Sequence, residues 1–273
     1  MSTIRTRKKT TVQTIVAKKA NGEKITCLTA YDYFIGRLLD QAGIDIVLVG
    51  DSAANVVHGF KTTIPITLDV MIAHTAAVSR GVERALLVTD MPFLSFQPSI
   101  ETAIISCGRC MKEGFAEAVK IEGGIEMVPT VKRLIECGIP VMGHIGLTPQ
   151  SIHRFGGPKV QAREERSRNY LKESALALEE AGCFSCVLEL MEANTAAEIT
   201  SSLTTMATIG IGAGRECDGQ VLVTNDLLGL REPEFTPKFL KQYADLPPII
   251  SEAVSKYINE VKSGTYPGPE HSY

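Results

Sequence analysis

The chain has 273 residues, of which 44% are hydrophobic and 22% are charged, and its formal net charge at pH 7 is −3. This balance provides no broad basic surface, and no apolar run approaches the roughly 18 residues of a membrane span. We therefore expect small-molecule partners, and neither a nucleic acid nor a membrane. Seven cysteines, an odd number, without a secretory hydrophobic segment favour free thiols and a cytoplasmic location.

The chain begins with a basic stretch whose first acidic residue is Glu23. It mildly resembles a mitochondrial transit sequence, which stays open as an alternative. We interpret residues 1 to about 24 as a short N-terminal extension, a solvated basic segment that leads into a helix. The rest of the chain contains no Ser/Gly linker, no low-complexity tract and no sharp change in composition. The sequence therefore predicts a single domain over residues 1–273 that includes this extension.

Short, β-branched apolar runs recur along the whole chain. They lie at residues 25–32, 45–52, 85–90, 118–124, 140–146, 186–190, 208–214 and 221–226. Helical patterns lie between or after them, at residues 33–42, 69–80, 99–113, 125–137, 162–182, 192–203, 237–244 and 248–263. Strands that alternate with helices predict a parallel sheet, and eight repeats predict an α/β fold closed as a (β/α)8 TIM barrel. A doubly wound open sheet is the alternative.

Polar side chains stand at the carboxyl ends of these predicted strands. They are Tyr31, Asp32, Asp51, Ser52, Asp90, Lys120, Glu122, His144, Glu189, Asn225 and Asp226. An Asp at such a position is often only a turn residue or a helix N-cap. In a parallel barrel, however, the carboxyl ends of all strands lie on one face, so these groups are expected to converge. The clustering, and no single residue, predicts a functional site.

Three of these acids, Asp51, Asp90 and Glu122, follow the second, third and fourth predicted strands. Carboxylates this close together repel one another, and a hard divalent cation with oxygen ligands relieves the repulsion. Magnesium fits because it accepts a few carboxylates and keeps waters that a substrate can replace. Zinc would prefer Cys and His ligands, and the nearby nitrogen donor is His144.

Two CxxC pairs offer a different interpretation. Cys107 with Cys110, and Cys183 with Cys186, have a spacing that occurs in zinc and redox sites, which would make the chain a non-enzymatic zinc or redox scaffold. The first pair lies in a predicted helix, and the second leads into a predicted strand. We therefore expect all four thiols to be buried packing residues.

Several segments resemble the ketopantoate hydroxymethyltransferase family over nearly the whole chain, from about residue 11. They are "TAYDY", "VGDS", "HTAAVSRG", "VTDMPF", "VKIEGG", "GHIGLTPQS", "GIGAGRECDGQVLV" and "YPGPEHS". The resemblance implies a (β/α)8 barrel of the phosphoenolpyruvate/pyruvate superfamily. It also implies transfer of a hydroxymethyl group from 5,10-methylenetetrahydrofolate to 3-methyl-2-oxobutanoate in pantothenate biosynthesis, and a homo-oligomer such as a homodecamer.

The same resemblance assigns roles to individual residues. It implies Mg²⁺ held through Asp51, Asp90 and, at longer reach or through water, Glu122. It implies that Asp51, Ser52, Asp90 and Lys120 bind the 2-oxo acid and that Glu189 is the general base.

Two further points remain open from the sequence. His144 is a candidate to hydrogen-bond the new hydroxymethyl group, or a histidine satisfied by loop carbonyls. Another magnesium-dependent 2-oxo acid lyase or mutase, of the isocitrate lyase type, would use the same acids. Such lyases commonly carry a catalytic Cys loop of the Lys-Lys-Cys-Gly-His type, which this sequence lacks.

Overall fold

The computed structural model describes residues 8–231 and 236–273. The chain divides into two compact units, Met1–Val223 and Thr224–Tyr273. Residues 1–7 of the predicted N-terminal extension lie outside the described residues. The prediction of one domain over residues 1–273 stays a prediction.

The first unit is built around a parallel β-barrel. Its strands are β1 (Ile25–Thr29), β2 (Ile46–Val49), β3 (Leu86–Asp90), β4 (Ala118–Glu122), β5 (Val141–Gly146), β6 (Ser185–Glu189), β7 (Ala207–Ile211) and β8 (Gly219–Leu222). Each strand pairs in parallel with the next, and β8 pairs with β1, so the sheet closes. The predicted (β/α)8 barrel is confirmed, and the open-sheet alternative is wrong.

Helices connect the strands and continue beyond them. They are α1 (Val12–Ala20), α2 (Tyr33–Ala42), α3 (Ala53–Val56), α4 (Leu68–Ser79), α5 (Ile100–Lys112), α6 (Val128–Glu136), α7 (Ile152–Phe155), α8 (Glu165–Glu180), α9 (Ala193–Ser202), α10 (Thr224–Leu227) and α11 (Leu246–Ser263). Short 3₁₀ turns lie at Ile125–Met127, Pro149–Ser151 and Pro269–His271. Among the described residues, no helix is both long and apolar enough to cross a bilayer.

Two predicted elements in the last part of the chain are wrong. Residues 237–244 are not helical, because the N–H groups of Tyr243 and Ala244 donate to the carbonyl of Leu227 instead of forming a helical ladder. The eighth strand begins earlier than predicted and ends at Leu222. Asn225 and Asp226 consequently lie in α10, in the second compact unit, and not at a strand end.

The barrel interior follows the two-residue period of β-strands. One buried cluster takes alternate residues of several strands, such as Ile46 with Leu48 and Leu86 with Val88. Ile15 of α1 is fully buried in the same cluster, so this helix covers the interior from one end. Ion pairs from α1 to Asp45 and Asp218 hold it there, at 2.7 and 2.9 Å.

The four cysteines of the CxxC pairs behave as packing residues. All seven are free, and both CxxC pairs are buried. Burial raises the pKa of Cys110 and of Cys183 to about 12. A thiol with such a pKa stays protonated near neutral pH and is a poor nucleophile and a poor metal ligand.

Candidate active site

A layer of charged side chains lies above the apolar interior, at the carboxyl ends of the strands. The alternation that buries Leu86 and Val88 continues to Asp90, and in β4 it runs from Ala118 through Lys120 to Glu122. His144 and Glu189 continue the same pattern in β5 and β6. Strand register places Asp90 beside Lys120 and Glu122 beside His144.

Three acids of this region are almost completely buried. The exposed fractions of Asp51, Asp90 and Glu122 are 4%, 4% and 7%. Burial, with the neighbouring charges of Asp90 and Glu122, raises the pKa of Asp51 to about 8. Burial also raises the pKa of Asp90, although Lys120 opposes this shift. Carboxylates in this state are costly to keep ionised without a compensating positive charge.

Lys120 provides one such charge. Its Nζ lies 2.7 Å from Oδ1 of Asp90. Burial alone would lower the pKa of Lys120, but Asp90, Glu122 and Asp51 hold it above its usual range. The ammonium group therefore stays charged, yet one cation faces three carboxyl groups.

His144 lies between groups of opposite sign. Its Nδ1 is 3.0 Å from Nζ of Lys120 and 3.5 Å from Oε1 of Glu122, and its Nε2 is 3.2 Å from Oε2 of Glu189. Burial and Lys120 lower the pKa of His144, and Glu122 and Glu189 outweigh them and raise it to about 9. The contact with Lys120 opposes this shift, because an ammonium group can only donate, whereas the two carboxylates favour the charged ring.

The carboxylates fit a divalent cation by their chemistry. Within residues 8–231 and 236–273, no three His, Cys, Asp or Glu side chains already form a coordinating group. Magnesium, however, commonly takes one or two carboxylates and completes its shell with water and substrate. Oε1 of Glu122 is buried and has no hydrogen-bond donor among the described residues. A buried carboxylate oxygen without a donor, next to two further buried acids, matches an ion with oxygen ligands.

A cavity of about 170 Å³ opens onto this layer. Its lining includes Asp51, Ser52, Asp90, Lys120, Glu122, His144 and Glu189. The structure therefore brings together the seven residues to which the sequence analysis gave a metal-binding, substrate-binding or catalytic role. Asp32 does not join them, because its side chain accepts the N–H groups of Phe34 and Ile35 as the N-cap of α2.

The comparison with known proteins decides the family. Residues 9–269 match the family model described as ketopantoate hydroxymethyltransferase. The chain belongs to this family. It is 56% identical over 259 residues to the 3-methyl-2-oxobutanoate hydroxymethyltransferase of Prosthecochloris aestuarii, and the match covers 93% of each chain. It is 51% identical to the enzyme of that name from Syntrophus aciditrophicus, over 100% of both chains. Proteins of this ketopantoate hydroxymethyltransferase family are enzymes, so this chain is an enzyme.

Solved structures outside the ketopantoate hydroxymethyltransferase family share the fold. A phosphonopyruvate hydrolase in complex with oxalate and Mg²⁺ has a TM-score of 0.60 at 10% identity, covering 95% of this chain and 92% of its own. A phosphoenolpyruvate phosphomutase from Streptomyces platensis subsp. rosaceus has a TM-score of 0.61 at 12% identity, covering 93% and 88%. At such identities the likeness shows the barrel architecture alone.

Two residues that the sequence analysis did not identify, Gln150 and Thr63, also contact or line the site. The side-chain amide of Gln150 donates to Oδ2 of Asp51 (3.0 Å) and to the carbonyl of Met91 (2.8 Å), while its backbone N–H donates to Glu122 (3.1 Å). Thr63 lines the cavity, and its buried hydroxyl has no partner within the part of the chain that the structure describes. Gln150 lies inside the "GHIGLTPQS" segment, which was the available signal.

Proposed function

We propose that this chain is a 3-methyl-2-oxobutanoate hydroxymethyltransferase of pantothenate biosynthesis. It would use 5,10-methylenetetrahydrofolate as the one-carbon donor and release 2-dehydropantoate (ketopantoate) and tetrahydrofolate. The match of residues 9–269 to the family model carries this proposal. The relatives that are more than half identical over nearly the full length bear the same activity in their names.

Asp51 and Asp90 would hold Mg²⁺, with Glu122 at longer reach or through water. When bound, the ion would act as a Lewis acid toward the carboxylate and keto oxygens of the substrate. Ser52 would add a hydrogen bond to the oxo acid. Its hydroxyl lies 2.8 Å from that of Tyr31, which fixes its orientation.

Glu189 is the proposed general base. Its side chain lies at the end of β6, with Oε2 3.2 Å from Nε2 of His144. It lines the cavity of about 170 Å³, which we call the inner cavity. It would remove the C3 proton of the oxo acid, and the electron pair of that C–H bond would form the enolate. Lys120 would stabilise the negative charge that develops on the keto oxygen.

Carbon C3 of the enolate would then form a bond to the one-carbon unit of the donor. After this step C3 carries no hydrogen, so the nitrogen of the donor cannot leave by elimination. One water therefore enters the overall reaction: both carbon–nitrogen bonds of the one-carbon unit break, and the oxygen of the water becomes the hydroxyl oxygen of the product. The two nitrogens of the released tetrahydrofolate take up the C3 proton and one proton of the water. His144 would hydrogen-bond the new hydroxymethyl group.

The experiment separates the first half of the reaction from the second. NMR in D₂O should show loss of the C3 proton of 3-methyl-2-oxobutanoate with enzyme and Mg²⁺, and no loss after chelation of the metal. Addition of 5,10-methylenetetrahydrofolate should then yield ketopantoate. Metal-independent exchange would contradict the role of the carboxylates, and exchange without ketopantoate formation would contradict the donor.

We also propose a homo-oligomer, such as a homodecamer, in the cytoplasm. The family membership supports self-association. The seven free thiols, six of them buried, support a reducing compartment.

A further inference from the structure

We propose that a second, larger cavity beside the inner site holds the pterin ring of the one-carbon donor, with Glu126 binding the N–H edge of that ring and Tyr170 orienting Glu126. This inference rests on the proposed function, because that function supplies the donor. The reaction alone does not say where the donor binds or which residue recognises it; the larger cavity and Glu126 would fill these two roles.

The two cavities differ in size and meet at one residue. The inner cavity, of about 170 Å³, suits a small oxo acid and leaves no space for a folate. The larger cavity has about 590 Å³, which is within the usual range for small-molecule sites. Glu122 lines both. A ring system in the larger cavity would therefore point its reactive end at the carbon that Glu189 deprotonates.

The walls of the larger cavity suit a flat aromatic ring. Its apolar lining residues are Phe93, Met127, Ile145, Phe155 and Leu171. A mainly apolar pocket with a few polar groups is the usual arrangement for a heteroaromatic ligand, because the walls contact the ring faces and the polar groups bind its edge.

Glu126 and Tyr170 belong to the polar part of this cavity's lining, which also includes Gln97, Arg154 and Gln161. The hydroxyl of Tyr170 donates to Oε2 of Glu126 at 2.6 Å, and Oε1 accepts the backbone N–H of Gly124 at 3.0 Å. A side chain at position 124 would disturb this arrangement, since its Cβ would lie 2.7 Å from the hydroxyl of Tyr170. Both Glu126 and Tyr170 are exposed, so a ligand can reach them.

The chemistry of Glu126 matches the pyrimidine edge of a pterin, which presents adjacent N–H donors. An ionised carboxylate accepts several hydrogen bonds and pairs well with two parallel donors. Partial burial would raise the pKa of Glu126, but the hydrogen bonds from Tyr170 and Gly124 hold it below the usual range. Glu126 therefore keeps its negative charge at neutral pH, with lone pairs left for the ligand.

The test measures binding of tetrahydrofolate, the product form of the donor, by anaerobic calorimetry. Glu126→Gln should raise its Kd about 10-fold or more, because a charge-assisted pair becomes a neutral one with a mismatched donor. Tyr170→Phe should raise it less, because the carboxylate remains and loses only its orienting partner. The Kd for 3-methyl-2-oxobutanoate with Mg²⁺ should stay within about twofold in both variants.

Glu173→Gln is the matched control. It removes the same charge from an exposed position of α8, the helix that carries Tyr170, and Glu173 does not line the larger cavity. Its affinity for tetrahydrofolate should remain that of the wild type. Unfolding temperatures of all variants, measured alongside, report any general loss of structure.

The outcomes separate the inference from the proposed function. Wild-type protein that neither exchanges the C3 proton nor binds tetrahydrofolate would overturn both. Wild-type protein that binds tetrahydrofolate, together with a Glu126→Gln variant of equal affinity, would overturn the inference alone. Parallel loss of oxo acid and tetrahydrofolate affinity in Glu126→Gln would also overturn it, because the residue would then support the site as a whole.

Discussion

At the residue scale, Asp90 is tied to both its strand neighbour and the adjacent turn. Its Oδ1 pairs with Lys120 at 2.7 Å, and its Oδ2 accepts the backbone N–H of Asp51 at 3.0 Å. Asp90→Asn keeps the shape but removes the charge that we assign to metal binding. Calorimetry should therefore show weaker binding of both Mg²⁺ and the oxo acid, together with lower turnover. Unchanged Mg²⁺ affinity would remove Asp90 from the proposed ligands.

Glu189 should respond in a different way. Glu189→Gln leaves the three proposed ligands intact, so the oxo acid should still bind in a magnesium-dependent manner. An amide cannot accept the C3 proton, and exchange observed by NMR should therefore fall by about 10² or more, the scale of a general base. Exchange near the wild-type rate would instead make Glu122 or His144 the next candidate for the base.

Gln150 links a loop to two of the proposed ligands, since it donates to both Asp51 and Glu122. Gln150→Leu should weaken Mg²⁺ binding about 10-fold or more, the usual cost of losing a group that orients a ligand. The control is Gln161→Leu, because the side-chain amide of Gln161 donates to the carbonyl of Lys159 and contacts neither Gln150 nor an acid. Equal Mg²⁺ affinity in the two variants, measured by titration with the metal alone, would count against this role.

The strand-end residues of the site could be predicted from the sequence, but Gln150 and Thr63 could not, and the reason is physical. Asp90, Lys120 and Glu122 end apolar strands, so the two-residue period and the parallel topology together indicate where they lie. Gln150 and Thr63 lie in loops, where no periodic pattern relates a residue to its neighbours in space. Their contacts depend on backbone conformations that a single sequence does not encode in any simple pattern.

At the element scale, the boundaries of α2 show what a sequence pattern can predict. This helix spans Tyr33–Ala42 as expected, because Asp32 caps its first turn and Gly43, with a φ of 87°, ends it. Residues 237–244 carry a similar helical pattern but lack the backbone hydrogen bonds of a helix. Their partner is Leu227, which lies too far along the chain for a local pattern to reveal.

The contact between α8 and the residues just before β7 depends on pH. Glu179, near the end of α8, accepts the backbone N–H groups of Thr204, Thr205 and Met206 just before β7. Burial would raise the pKa of Glu179, but these hydrogen bonds outweigh it and hold the pKa below the usual range. Its contribution to stability is therefore fully present above the usual glutamate pKa and is lost as pH falls toward the pKa of the folded state.

The variant Glu179→Gln tests this dependence. Its unfolding temperature should lie below that of the wild type at pH 7, and the difference should shrink as pH falls from about 5 to 3, because protonation makes the two side chains alike. Glu180→Gln alters the next residue, which is exposed, and should show little difference at either pH. A gap for Glu179→Gln that is constant across this range would contradict the prediction.

The CxxC pair of α5 offers a further test. Cys107 and Cys110 are fully buried, and Sγ of Cys110 lies 3.7 Å from Sδ of Met91. Replacement of both by Ala should leave activity within a few fold and lower the unfolding temperature, because small core cavities form. Metal analysis of the wild type should find no stoichiometric zinc. Loss of bound zinc together with activity in the variant would restore the zinc interpretation.

At the scale of the whole molecule, α11 carries an apolar face along one side. None of its described side chains is buried, and Ile250, Val254 and Ile258 follow one another at four-residue intervals. We predict that the protein self-associates through this face. Sedimentation velocity should show a species larger than the monomer, and Val254→Glu should shift it toward the monomer. Asn259→Glu adds the same charge on the opposite face of the helix and should not.

Closure of the barrel by β1 and β8 has a consequence during protein synthesis. Ile25 of the first strand pairs with Gly219 of the last, so the ring of hydrogen bonds cannot form until almost all of the first compact unit has left the ribosome. At ribosomal rates of about 5–20 residues per second, the roughly 190 residues between β1 and β8 take about 10–40 s to add. During that time β1 has one edge without its partner strand, and an unpaired strand edge can pair with another chain.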